Sequence, residues 1–250
     1  MQTRFASLKY ALTALVAVGL SSLCVAQQPP APNRSRVTIT KVKPEMLNEW
    51  LDLEKNEVIP ALKKAEVKSQ TVYSTTLFGD GFEYTTITPF EKFADFDGQA
   101  PGIKALGAVG AARLGEKIRK CIVSTTSYVI TAQADLSNMP EGTTLTRIAT
   151  TRVRAAPGKM EDFLALIKSD VTPAYKKAKM TLVVTRRGLG ANGNDVSFSV
   201  PVDNYADLDG PPSLVKALGQ EGLAKFGAKF TGMGTVLETI VRTRVPDLSF

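Results

Sequence analysis

The 250-residue chain contains no histidine. That absence removes Ser-His-Asp and Cys-His nucleophilic catalysis, histidine-ligated zinc or iron, and haem held by a proximal histidine. Cysteine is nearly absent: only Cys24 and Cys121 occur, and Cys24 falls in an N-terminal leader. The mature chain therefore keeps one thiol, which excludes an intramolecular disulfide and a thiolate metal cluster. At the start of the apolar run CIVST, Cys121 reads as a buried structural thiol. No Walker A, G-x-S-x-G or strand-turn-helix G-x-G-x-x-G motif is present. No basic block is interleaved with aromatics, so the net charge of +7 is spread along the chain and gives no nucleic-acid footprint. Catalysis, if there is any, falls to Asp, Glu, Lys, Arg, Tyr or Ser, with no cofactor and no metal expected.

At the N-terminus, Arg4 and Lys9 precede the apolar stretch YALTALVAVGLSSL, which is too short for a permanent membrane span. Cys24 and Ala26 then place small side chains at −3 and −1 before Gln27. This predicts a signal peptide over 1–26 and export to a periplasm or the cell exterior. A lipoprotein anchored at Cys24 is the rival; Leu23 stands where such a signal wants a small residue. Residues 27–34, rich in proline, read as a flexible lead-in.

What the remainder has in abundance is itself. VIPALKKA at 58–65 returns as VTPAYKKA at 171–178, and FADFDG…KALG at 93–107 returns as YADLDG…KALG at 205–219. Asp135-Leu136-Ser137 returns as Asp247-Leu248-Ser249, 112 residues on. The constant spacing divides the chain into repeat 1 at 35–137, a linker at 138–144 and repeat 2 at 145–250.

Each repeat reads as β-α-β-β-α-β. RVTITKV is β-branched and strand-like; Leu47, Trp50, Leu51, Val58 and Leu62 then share one helical face, as do Met160, Phe163, Leu164, Val171 and Tyr175. Pro60 and Pro173 inside those patterns predict a kink or a restart. A second strand over 67–77 leads to Asp80-Gly81, matched by Asn192-Gly193, both strong hairpin signals. FEYTTIT and DVSFSV make third strands, 102–118 a second helix loose in Ala and Gly, and 121–130 a fourth strand. The fold class is α+β: tandem ferredoxin-like repeats forming an intramolecular pseudo-dimeric barrel.

That order of elements, with VRAAPGKMEDF at 153–163 and the VxPAxKKA helix, resembles the dimeric α+β-barrel superfamily. The group includes NIPSNAP-like and antibiotic-biosynthesis-monooxygenase-like proteins. Over nearly all the mature chain, the resemblance implies small-molecule sites between sheet and helices. It also implies haem-degrading, dye-decolourising or cofactor-free oxygenating relatives.

Four constellations compete for a site. Asp95, Asp97, Asp207 and Asp209 suit a turn and a helix entry better than a cation site, with Ser213 as a local cap. Glu49, Asp52, Glu54 and Glu57 read as the wet face of the first helix, and Arg186-Arg187 as a solvated strand end. The third strand offers an asymmetry: Tyr84, Thr86 and Thr88 in repeat 1 face Val196, Phe198 and Val200 in repeat 2. The more polar face of repeat 1 reads equally as the lining of an asymmetric cavity and as threonine's ordinary preference for strands. The ligand-binding candidates are Trp50, Tyr73, Tyr84, Thr86 and Phe163, and the expected ligand is a small apolar or aromatic molecule. The rival readings are a cofactor-independent monooxygenase-like enzyme and a pocketless assembly module; further homo-oligomerisation is left open.

Overall fold

A computed structural model of the protein describes residues 33–250 apart from 76, 141, 142 and 144. The expected leader, nearly all of the lead-in and part of the linker lie outside those residues. Eight strands, β1 Arg34–Val42, β2 Thr71–Thr75, β3 Glu83–Phe90, β4 Ile122–Ala132, β5 Arg147–Ala155, β6 Val183–Arg187, β7 Asp195–Pro201 and β8 Gly234–Arg244, close into a barrel. Its order is β1-β3-β2-β8-β5-β7-β6-β4, and every ladder is antiparallel. Within each half the strands run fourth-first-third-second. Two short seams join the halves, β2·β8 through Tyr73↔Arg244 and Ser74↔Thr243, and β4·β6 through Ile130↔Arg187, Thr131↔Arg186 and Ala132↔Thr185.

Among the described residues, four helices cover the outside: α1 (47–64), α2 (Pro101–Cys121), α3 (160–177) and α4 (Ser213–Phe230). Alternation along the strands divides the chemistry between two layers. Val153, Val184 and Val196 point outward into a core with Phe163, Ile167 and Tyr175. Val42, Val72 and Tyr84 do the same with Trp50, Leu53 and Cys121 in the first half. Their neighbours in sequence, Arg152, Arg187, Asp195, Tyr73 and Glu83, consequently point into the barrel.

The prolines act as the sequence predicts, by a specific device. Before each, the helix widens into a π-turn, Glu54–Val58 and Ile167–Val171. Ile59 N–H donates to the Glu54 carbonyl and Thr172 N–H to that of Ile167, five residues back, and the helix resumes. The widened turn makes room for a ring that has no N–H to give.

The shared aspartates and glycines have local duties. The Asp95 carboxylate accepts the Lys92 backbone N–H at 3.1 Å, and that of Asp207 accepts those of Asn204 (2.9 Å) and Asp203 (3.0 Å), capping short 3₁₀ turns. Gly107 and Gly219 sit at φ 70 with ψ 170 and 171, a region essentially open to glycine alone, and bend α2 and α4.

The repeated Asp-Leu-Ser tripeptide crosses between halves. Ser137 Oγ accepts the Val184 N–H at 2.9 Å, and Ser249 Oγ that of Val72 at 3.0 Å. Leu136, 3 % exposed, packs into the core of the second half, and Leu248, 2 % exposed, into that of the first. Each half thus closes the other's core. The second strand is shorter than the sequence suggests: Glu66 turns at φ 65, and the ladder to β3 starts only at Thr71. Cys121 ends α2 and is fully buried, its thiol held up in pKa first by burial.

Candidate ligand-binding site

Between sheet and helices of the second half lies a cavity of about 160 Å³. Phe163, Ile167 and Val171 of α3, Phe198 of β7, and Phe226 and Phe230 of α4 wall it. The α3 residues reach it because the π-turn shifts their spacing while keeping all three on the sheet side. Phe163 meets Phe198 edge-on at 5.9 Å and Phe230 at 5.6 Å, while Phe226 stacks on Phe230 at 5.8 Å and 11°. These contacts fix the walls in offset and T-shaped geometries that aromatic rings favour.

Three polar side chains enter this apolar box, Thr151, Tyr175 and Ser213. Tyr175, 2 % exposed, donates its hydroxyl to Ser213 Oγ at 3.0 Å. Burial pushes the phenol pKa up, more than the Ser213 hydrogen bond brings it down, so the group stays neutral. Thr151 shares a hydroxyl contact of 2.9 Å with Thr239. A space of about 150 Å³ is large enough for benzene. The site can therefore hold a small ring, with Ser213 or Tyr175 left to hydrogen-bond one polar substituent.

The sequence-derived residues divide around this site. Phe163 lines it. Trp50 and Tyr84 are together, but in the first half, with ring centroids 4.4 Å apart. Thr86 lies two residues beyond Tyr84 on the same strand face and is half-buried. Tyr73 is on the opposite face, inside the barrel, donating to the Leu145 carbonyl at 3.1 Å. The cavity described here thus lies in the second half, while four of the five sequence-derived residues, Trp50, Tyr73, Tyr84 and Thr86, lie in the first. At the positions matching Trp50 and Tyr84, the second half has the smaller Phe163 and Val196.

Other residues went unread in the sequence. Tyr175 looked like one more member of the core face, and Ser213 like a cap. The α4 N-terminus receives no side-chain cap, and Ser213 instead accepts from Tyr175. Glu54, expected on the wet face, is half-buried at the π-turn where the second half has Ile167, and burial raises its pKa to about 7. The indole Nε1 of Trp50, one turn before it, is buried without an acceptor. A larger open groove of about 780 Å³ runs beside β1 and β3, where Arg36 lies over Phe96 at 5.8 Å and Lys68 pairs with Glu91 at 2.6 Å. Its charges are already partnered.

No protein-family model and no curated protein matches the sequence. Solved structures do. A putative monooxygenase from Lactobacillus acidophilus NCFM aligns over 87% of this chain and 95% of its own, at 12% identity and a TM-score of 0.53. An anthrone oxidase-like protein aligns over 86% and 92%, at 12% identity and a TM-score of 0.54. A mutant chlorite dismutase from Candidatus Nitrospira defluvii in complex with cyanide aligns over 87% and 92%, at 12% identity and a TM-score of 0.57. The chain shares their fold, the dimeric α+β barrel. At this identity the likeness extends to the fold alone.

A haem does not suit the cavity. No histidine exists to ligate it, and Cys121 belongs to the other half's core. The one wall residue able to act as an axial ligand, Tyr175, is held neutral and already bonded to Ser213.

Proposed function

We propose that the chain is an exported small-molecule-binding protein, built of fused ferredoxin-like repeats at 35–137 and 145–250, which takes a small apolar or aromatic molecule into the second-half cavity. The observation that carries this reading is a space of about 160 Å³, walled by four phenylalanines and provided with a single buried tyrosine–serine pair. Pockets of this make-up bind by apolar burial and orient by few polar groups.

A cofactor-independent oxygenase is the second reading, favoured by what the fold neighbours are named. In it, the neutral Tyr175 hydroxyl would hold an oxygen atom of a phenolic or enolic substrate.

Binding is tested by thermal denaturation with benzene, phenol and indole. A ligand seated in the cavity raises Tm with concentration, as binding to the native state alone requires. Val200→Phe, which fills the space from half-buried β7, should abolish the rise without lowering the Tm of the free protein. Absence of any rise, or a rise that survives Val200→Phe, refutes the assignment. Oxygen uptake with phenol then separates enzyme from binder.

A further inference from the structure

The barrel interior carries a feature independent of the apolar cavity. Arg152 holds Asp195 at 3.0 Å and Glu238 at 2.8 Å, Arg154 holds Asp195 at 2.7 Å, and Arg242 reaches Glu83 at 3.4 Å. Those pairs engage the three carboxylates of the interior. Arg187 and Arg244 are left with none among the described residues. Arg187 instead lies over the ring of Tyr128 at 4.5 Å.

The Nε atoms of Arg187, Arg242 and Arg244 are all buried without an acceptor, as are the hydroxyls of Thr75 and Thr85 on the same inner face. Every one of these orphans belongs to the barrel interior. A cation with a buried, unpartnered N–H is costly unless a counter-charge completes it. Tyr128, 9 % exposed, is the focus: the charges acting on its hydroxyl are those of Arg187, Arg242, Arg152 and Glu83. Arg187 sits on the β4·β6 seam and Arg242 next to the β2·β8 seam, where the ladders are shortest and local opening is easiest.

We infer that the barrel interior holds a small oxyanion, carboxylate or phosphate in kind, gripped by Arg187 and Arg242 and met by the Tyr128 hydroxyl. The planar guanidinium fork suits such a group, which would answer the charge of Arg187, paired with no interior acid, and the Nε–H of Arg242, which Glu83 leaves without an acceptor. This site is separate from the apolar cavity and stands whether or not that cavity binds a ligand.

The test follows arginine Nε–H resonances in full-length, nitrogen-15-arginine-labelled protein titrated with inorganic phosphate, and separately with acetate, at constant ionic strength held by sodium chloride. The Arg187 and Arg242 signals should move saturably with at least one of the two anions, while exposed Arg36 stays still. Arg187→Gln should weaken the apparent affinity at least about tenfold, the worth of one charge-assisted contact. Small, non-saturating movements shared by all arginines mean ionic screening and overturn the site. So does saturation that Arg187→Gln leaves unchanged.

Discussion

Leu248 is the third residue from the C-terminus, yet its side chain is 2 % exposed and lies in the core with Trp50 and Val72. Replacing it with alanine removes three buried carbons, worth about 2.4 kcal/mol of transfer free energy at ~0.8 per methylene. The space left behind adds a cavity cost, so a loss of about 3 kcal/mol is expected, within the roughly 2–5 found for buried Leu→Ala changes. The exposed Lys55–Asp247 pair beside it, at 2.8 Å, contributes little. Urea denaturation followed by Trp50 fluorescence measures the change. With an m-value of about 2–3 kcal/mol/M, the midpoint should fall by roughly 1–1.5 M without a change in slope. Leu136→Ala, 3 % exposed in the other core, should match it. A loss under about 1 kcal/mol for both would show that the tripeptides do not close the opposite cores, and would refute the reciprocal latch.

Glu54 carries a pKa raised to about 7 from 4.5 by burial, so between those values the folded chain binds a proton that the unfolded chain releases. Stability should therefore fall as pH rises from about 4.5 to 7, by at most about 3 kcal/mol, and Glu54→Ile should abolish that slope in urea melts at pH 5 and 8. Ser213→Ala leaves the buried Tyr175 hydroxyl without its acceptor and should cost roughly 1–3 kcal/mol, read as a Tm drop of about 2–4 °C per kcal/mol. Gly219→Ala meets no atom within 4 Å of the added carbon, so its expected cost of about 1–3 kcal/mol is conformational alone and appears as lowered Tm.

The strand and helix order was legible because period-2 and helical patterns recur twice, and agreement between copies corrects the noise in either one. The prolines announced an interruption, and the π-turn is the form it took. The duty of Asp-Leu-Ser was invisible, because a repeat shows what recurs and not which partner it touches. Where free volume lies was hidden for a related reason. Polarity reads directly from Thr86 against Phe198, whereas free volume depends on how Trp50 and Tyr84 pack together. Likewise Arg187 looked like a strand end until closure of the barrel turned it inward over Tyr128.

The two seams have a consequence for how the molecule associates. Each half is joined to the other by a two- or three-residue ladder on either side with a few flanking backbone bonds, by a tripeptide that reaches across, and by contacts such as Tyr73–Leu145 and Arg242–Glu83. Nothing in those contacts requires both halves to belong to one chain. At high concentration, or after partial denaturation, a half released along both seams presents unpaired edges that fit the complementary half of a second molecule equally well. Exchange of halves would rebuild two complete barrels from two chains with every latch intact, and weakening Ser137 or Ser249 would speed it.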